Sequence, residues 1–150
     1  LVYGEEDDEV EDAAAKALLA ASARLATVEA GTAGRVAALF AQAAHRQNAT
    51  SQQFFCGGLV LPGLPGETSE LIAAAKDVAS SHNASVGMAV GPVRPSGVRH
   101  AVDVVVVNNG TPIVTEHILG GGGIAMSRAA KSAIDQIRRI LLSHRKNCRT

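Results

Sequence analysis

The stretch "HAVDVVVVNNGTPIVTEHIL", His100 to Leu119, constrains the fold more than any other part of this chain. Two runs of β-branched residues surround Asn108, Asn109 and Gly110, residue types that tolerate positive φ, and that pattern dictates a β-hairpin. The sheet must therefore contain an antiparallel pair. A lone hairpin is marginal in water, so the rest of the chain has to supply neighbouring strands and something to cover their faces.

The upstream sequence supplies both. From Asp8 to Ala23 an alanine-rich run without Gly or Pro spaces Val10, Ala14, Ala17, Leu18 and Ala21 along one helical face, which predicts a first helix. "RLATVEA" turns to short apolar and β-branched content and predicts a strand, "GTAG" a turn, and Arg35 to Ala44 a second helix. "QQFFCGGLVLPG" predicts a strand bounded by Pro62 and Gly63, with Gly57 and Gly58 marking a bulge or a close backbone neighbour. "PGETSELIAAAKDVASS" begins in turn residues and hydroxyl caps. It then repeats apolar residues at Leu71, Ile72, Ala75, Val78 and Ala79, a third helix. "ASVGMAVG" is the next strand. After the hairpin, "GGGGIAMSRAAKSAIDQIRRILLSHRK" carries Ala130, Ile134, Ile137 and Leu141 as the stripe of a long last helix. The order α-β-α-β-α-β-β-β-α predicts an α/β three-layer sandwich: a mixed, mostly parallel sheet with a β-hairpin, and helices on both faces.

Composition narrows the function. At 150 residues, 47% hydrophobic and 19% charged, the chain fits one domain spanning 1–150, with 1–24 as a leading helix and 25–150 as the core. Aromatics make up 3%, too few for base-stacking platforms. Cys56 and Cys148 lie far apart with no CxxC spacing, which fits a reducing cytosol and neither a disulfide scaffold nor a zinc site. No segment reaches the roughly 18 apolar residues of a membrane span. A cytoplasmic location follows, with neither membrane nor nucleic acid as partner. The start at Leu1 rather than Met points to a fragment of a longer chain.

Net charge is zero but unevenly spread. Glu5, Glu6, Asp7, Asp8, Glu9, Glu11 and Asp12 crowd the start; Arg128, Lys131, Arg138, Arg139, Arg145, Lys146 and Arg149 crowd the end. Acids near a helix N-terminus and cations near a helix C-terminus are what the backbone dipole favours, so the acidic run reads as solvated helix-start charge and not as a metal cluster.

The turn "EAGTAGR", Glu29 to Arg35, lies where a strand end meets a helix start, the place at which open α/β sheets bind anionic ligands. Small residues there also serve as steric fillers. From Val2 to Phe40 the chain resembles the opening of the C-terminal domain of competence/damage-inducible CinA proteins, in which a "GE…LE" segment leads through a helix to an "AESCTGG" turn. "GGLV" at Gly57 to Val60, "VGMAVGPVRPSG" in place of "LAVTGIAGPGG", and the hairpin followed by "AIDQIRRIL" extend the resemblance over most of the chain.

The resemblance implies a domain that hydrolyses the carboxamide of nicotinamide mononucleotide, using a serine in the turn and a tyrosine and a lysine from a "YS…K" segment beyond the "GGVV" strand. Carried across residue by residue, Glu29 matches the motif's glutamate, Thr32 its threonine and Gly34 its final glycine, whereas Ala30 stands where the serine belongs. Beyond "GGLV" the connection is shorter, and the tyrosine and lysine have no counterpart; Lys76 falls inside the third helix. The family's charged entrance to the last helix is here the run Gly120 to Gly123. Removing a nucleophile and its base costs several powers of ten in rate.

Two functions follow as expectations. The first is a non-catalytic relative serving as a nucleotide-binding or oligomerisation module. It would take a pyridine nucleotide on Glu29, Ala30, Gly31, Thr32, Gly34, Gly57, Gly58 and Gly91, with Arg94 pairing the phosphate. The second is an active deamidase or related hydrolase using Thr32, the turn's one hydroxyl, with a base among His45, His82, His100 and His117. Neither calls for a metal or cofactor. The resemblance also implies a homo-oligomer and an N-terminal domain of the molybdopterin-binding type in a longer chain.

Overall fold

A computed structural model of the chain describes residues 9–46, 54–62, 64, 67–120 and 125–148. The expectations for Glu5 to Asp8, for Gly121 to Gly123, for the side chains of Arg145, Lys146 and Cys148, and for Arg149 lie outside what it describes. The elements in chain order are α1 (Val10–Ala20), β1 (Leu25–Glu29), α2 (Arg35–Arg46), β2 (Phe55–Val60), α3 (Thr68–Ser81), β3 (Val86–Val90), β4 (Arg94–Ser96), β5 (Arg99–Asn108), β6 (Thr111–Leu119) and α4 (Ala125–Cys148). This is the expected order with one addition. The three-residue β4 escapes a pattern search because Arg94, Pro95 and Ser96 carry no alternation of apolar residues.

The six strands form one mixed sheet. β1 lies between β2 and β3, parallel to both, through the α2 and α3 crossovers. β5 runs antiparallel to β3, β4 and β6. Five strands therefore point one way and β5 the other. Since His100 and Ala101 pair with β4 and β6 at once, and Val104 to Asn108 pair with β3 and β6, β3 and β4 occupy one edge of β5 and β6 the other. The hairpin closes at Asn109 and Gly110, with φ of 50° and 87°, the positive values that two-residue hairpin turns demand.

Helices cover both faces, giving three layers. Leu71, Ala75 and Val78 of α3 pack on Ala26, Val28, Ala89, Val105 and Val107. On the other face Val36 and Phe40 of α2 and Ala130, Ile134 and Ile137 of α4 meet Leu25, Met88, Val102, Val104 and Val106. β5 is thus buried on both sides, which explains its unbroken valine run. Phe40 stacks on Phe55 and meets Phe54 edge-on, with ring centroids 5.4 and 5.9 Å apart, so all three phenylalanines serve one side of the core.

α1 departs from its sequence reading. Val10, Ala14 and Leu18 are buried as the spacing requires, but Glu11 and Asp12 are buried with them, at 2% and 4% exposure. They are not solvated helix-start charge. Arg46, at the end of α2, bonds Glu11 at 2.9 Å and both oxygens of Asp12 at 3.0 and 3.1 Å. Lys131 of α4 reaches Glu11 at 2.8 Å and Glu9 at 3.4 Å. Two carboxylates at one end of α1 tie it to the two helices beside it, a contact between residues about 35 and 120 apart in sequence that no local pattern reveals. Burial pushes the Glu11 carboxyl up, but the bonds from Lys131, its own backbone and Arg46 outweigh it and hold the group below the usual carboxylate range.

Candidate functional site

β1 is buried at all five positions and delivers Glu29 to the start of α2. The Glu29 side chain has no solvent exposure, yet every polar atom it carries is used. One oxygen accepts the Thr32 hydroxyl at 2.5 Å and the Val36 N–H at 3.0 Å; the other accepts the Ala37 N–H at 3.1 Å. A carboxylate placed against the free N–H groups of a helix start satisfies them and is stabilised by the dipole. Its own backbone carbonyl accepts the Leu61 N–H at 2.9 Å. Glu29 is therefore the anchor of the turn rather than a group offered to a ligand.

The turn between them is tight. The Ala30 and Gly31 N–H groups donate to the Val90 and Gly91 carbonyls at 3.0 and 3.1 Å, extending the β1–β3 ladder past the strand ends. A side chain at Gly31 would sit 2.5 Å from the Gly91 oxygen, so only glycine fits. Ala33 and Gly34 then take φ of 51° and 90° to swing the chain into α2, and Gly34 lies against Val60. Ala30, where the resembling turn has its serine, is half-buried and carries no reactive atom. Thr32 is fully buried with its hydroxyl committed to Glu29, so no histidine activates it.

The histidines lie elsewhere. His45 is exposed at the far end of α2. His82 rests against the Gly57 backbone with Nδ1 3.0 Å from the Val78 carbonyl. His100 is half-buried on β5. His117 contacts the Thr115 hydroxyl at 3.0 Å; burial, with the Arg139 charge, pushes its pKa down against the pull of Asp135 and Asp103. Among the described residues no cluster of three or more His, Cys, Asp or Glu side chains could hold a metal.

Two expected components of the ligand site are placed differently. Gly57 and Gly58 pair with Ala26 and Thr27, in the middle of β1, while the turn faces Val60. The register shift at Leu25/Ala26 is the bulge expected at these glycines. The space beside them is occupied, since a side chain at Gly58 would meet the Thr27 hydroxyl at 2.6 Å. Gly91 does lie against the turn, through its carbonyl. Arg94 does not serve the turn. Its guanidinium holds Asp103 through two bonds of 2.9 and 3.3 Å and also bonds Glu116, so a phosphate would have to displace two carboxylates.

Sequence reasoning missed two exposed cationic groups, one at the end of the turn and one at the start of α4. Arg35, the first residue of α2, is exposed, and among the described residues its guanidinium bonds the Met126 sulfur at the start of α4, a weak acceptor. Arg128, one turn into α4, is exposed and packs over Gly120, where a side chain would come within 3.3 Å of its guanidinium. The visible signal for Arg35 was its position directly after the turn.

Neither any protein-family model nor any curated protein matches the sequence. Solved structures do. The CinA superfamily protein of Klebsiella pneumoniae 700603 superposes with a TM-score of 0.74 at 16% identity, covering 89% of this chain and 96% of that one. The superfamily protein of Enterobacter cloacae gives 0.66 at 15% identity over 96% of both chains. The competence/damage-inducible protein CihA of Agrobacterium tumefaciens gives 0.59 at 14%, over 91% of this chain and 96% of that one. With the strand-turn-helix geometry at Glu29 and the hairpin feeding the long last helix, these matches establish that the chain has the fold of the CinA superfamily across nearly its whole length.

Proposed function

We propose that this domain is a non-catalytic member of the CinA-like group that binds a small pyridine nucleotide and assembles with copies of itself. The observation that carries the first part is the state of the turn's only hydroxyl. Thr32 is buried and donates to Glu29, and Glu29 in turn holds the N–H groups of Val36 and Ala37. Releasing Thr32 for attack on an amide would unpair a buried carboxylate and loosen the start of α2, a large penalty, and the carboxylate beside it, Glu29, is already held by the Val36 and Ala37 N–H groups, which weakens it as a base. Ala30 offers only a methyl group.

Apolar residues exposed on both outer strands support assembly: Leu59 and Val60 on β2, and Val114 and Ile118 on β6. In a longer protein, such a module would lend binding and association to a further N-terminal domain. The deciding experiment is ammonia release from nicotinamide mononucleotide by the purified domain, run beside calorimetric titration of the same compound. Heat without turnover is expected. Turnover that disappears in Thr32→Val would overturn the non-catalytic reading. Light scattering measures the assembly, and a monomer at tens of micromolar would remove that part.

A further inference from the structure

Among the described residues, β6 is the long strand whose outer edge lies open. It runs from Thr111 to Leu119, pairs with β5 alone, and keeps an even register without bulge or positive φ. The other outer strands are poorer templates: β4 has three residues, and β2 carries a register shift and Gly57 at a φ of 145°. Long edges are normally guarded by lysines, inward-pointing charges or bulges, because their free N–H and C=O groups recruit another strand. β6 contains no lysine or arginine, and its one carboxylate, Glu116, is already bonded to Arg94. Val114 and Ile118 stand 43% and 50% exposed beside it, since the cluster that α3 covers takes in Val105, the cross-strand neighbour of Val114, but no residue of β6.

The backbone fixes which groups that edge offers. The Asp103 carbonyl accepts the Gly91 N–H and the Asn109 N–H donates to Ser85, so odd-numbered residues of β5 face β3 and even-numbered ones face β6. Through the pairing of Asn108 with Thr111, β6 turns its own odd-numbered groups inward. Val114, Glu116 and Ile118, with the Pro112 carbonyl, are left to bond outward. Two copies can therefore meet antiparallel only with even residues opposite even ones. Centring on Glu116 opposes two carboxylates, centring on Val114 sets Ile118 opposite the turn residue Gly110, and registers further out shorten the overlap. Centring on Thr115 pairs the strand along its whole length. It sets Val114 against the partner's Glu116 and Pro112 against the partner's Ile118, with each Val114 diagonal to the partner's Val114 and the partner's Ile118. We propose that β6 pairs with β6 of a second copy about a two-fold axis at Thr115, joining two six-stranded sheets into one. This names the interface of the assembly reading above, on which it rests.

The test has two arms, both on the full chain. In a Cys56→Ser, Cys148→Ser background, single cysteines replace each residue from Ile113 to His117 in turn, and cross-linking by oxidised glutathione is followed on non-reducing gels. Thr115→Cys should link to its own copy about tenfold faster than any of the others, because only a residue on the axis brings two Cα atoms within the span of a disulfide. In the second arm light scattering compares wild type, the double variant Val114→Lys, Ile118→Lys, and Leu59→Lys on β2. All three sites are exposed, so the fold tolerates lysine, and matching melting curves verify this. Wild type and Leu59→Lys are expected as dimers and the double variant as a monomer. Cross-linking fastest at another position, or equally slow at all, overturns the axis. A double variant that stays dimeric overturns the β6 interface and leaves the assembly reading standing. A monomeric wild type removes both.

Discussion

Thr32 and Glu29 hold one another inside the protein: the threonine hydroxyl donates to a carboxylate oxygen at 2.5 Å, and neither residue is exposed to solvent. Three residues apart, they close the turn over itself and join a central strand to the helix that follows. Replacing Glu29 with alanine removes three hydrogen bonds to buried donors and is expected to destabilise the domain by about 2–4 kcal/mol. Thr32→Val, which leaves the N–H bonds of Val36 and Ala37 in place, should lose no more than about 1–2 kcal/mol. Urea denaturation of the two variants gives the ratio; equal losses would mean that the N–H bonds contribute nothing.

Restoring the missing oxygen does not restore chemistry. Ala30→Ser puts a hydroxyl in the turn, yet among the described residues no lysine or tyrosine is hydrogen-bonded there to take its proton, and a serine without a base is a poor nucleophile. Ammonia release from nicotinamide mononucleotide should stay at background in this variant. A rate well above it would reveal a base that the fold does supply.

The α1 carboxylates make the domain sensitive to acid. The folded-state pKa of Glu11 lies below its unfolded value, so its contribution is complete above the ordinary carboxylate range and fades as pH falls through the folded-state value. Lys131 behaves in mirror image. Burial pulls its pKa down, but the bonds and charges of Glu11 and Glu9 raise it overall, so its share is full below the ordinary lysine range and fades only at strongly alkaline pH. Lys131→Met should flatten the acid limb of a stability-versus-pH curve between about pH 5 and pH 2 while lowering stability at neutrality. An unchanged acid limb would mean that the pairing with Lys131 does not set the Glu11 pKa.

His117 adds a second, milder slope. Burial and the Arg139 charge lower its pKa despite Asp135 and Asp103, so the neutral ring is the form the fold prefers. That preference stabilises the domain above the ordinary histidine value and is lost as pH falls below about 6.5. His117→Gln should remove this part of the slope and leave the Glu11 part intact, which melting temperatures across pH 4 to 8 will separate.

Close packing at Gly87 is a sharper stability test than any turn glycine. A side chain there would lie 2.1 Å from the Ala75 carbonyl oxygen of α3, so Gly87→Ala must push helix and sheet apart at a loss of about 1–3 kcal/mol or more. At Gly97, φ is +64° but nothing lies within 4 Å, so alanine should lose only about 1 kcal/mol of backbone preference. Thermal melts of the pair should differ in that order.

The sequence by itself determined the local elements and the layering. Asn109-Gly110 could close only a hairpin, the valines of β5 could be satisfied only with both faces covered, and Ala130, Ile134, Ile137 and Leu141 could lie only against the sheet, because periodicity and turn chemistry act over a few residues. Tertiary structure decided which charges meet. Nothing near Arg94 in sequence announced Asp103 and Glu116, nothing near Glu11 announced Lys131, and only the register of β2 on β1 put Gly57 and Gly58 against mid-strand rather than the turn. An ion pair forms wherever the folded backbone brings two side chains within a few ångströms, and that distance is set by crossovers and strand order rather than by spacing along the chain.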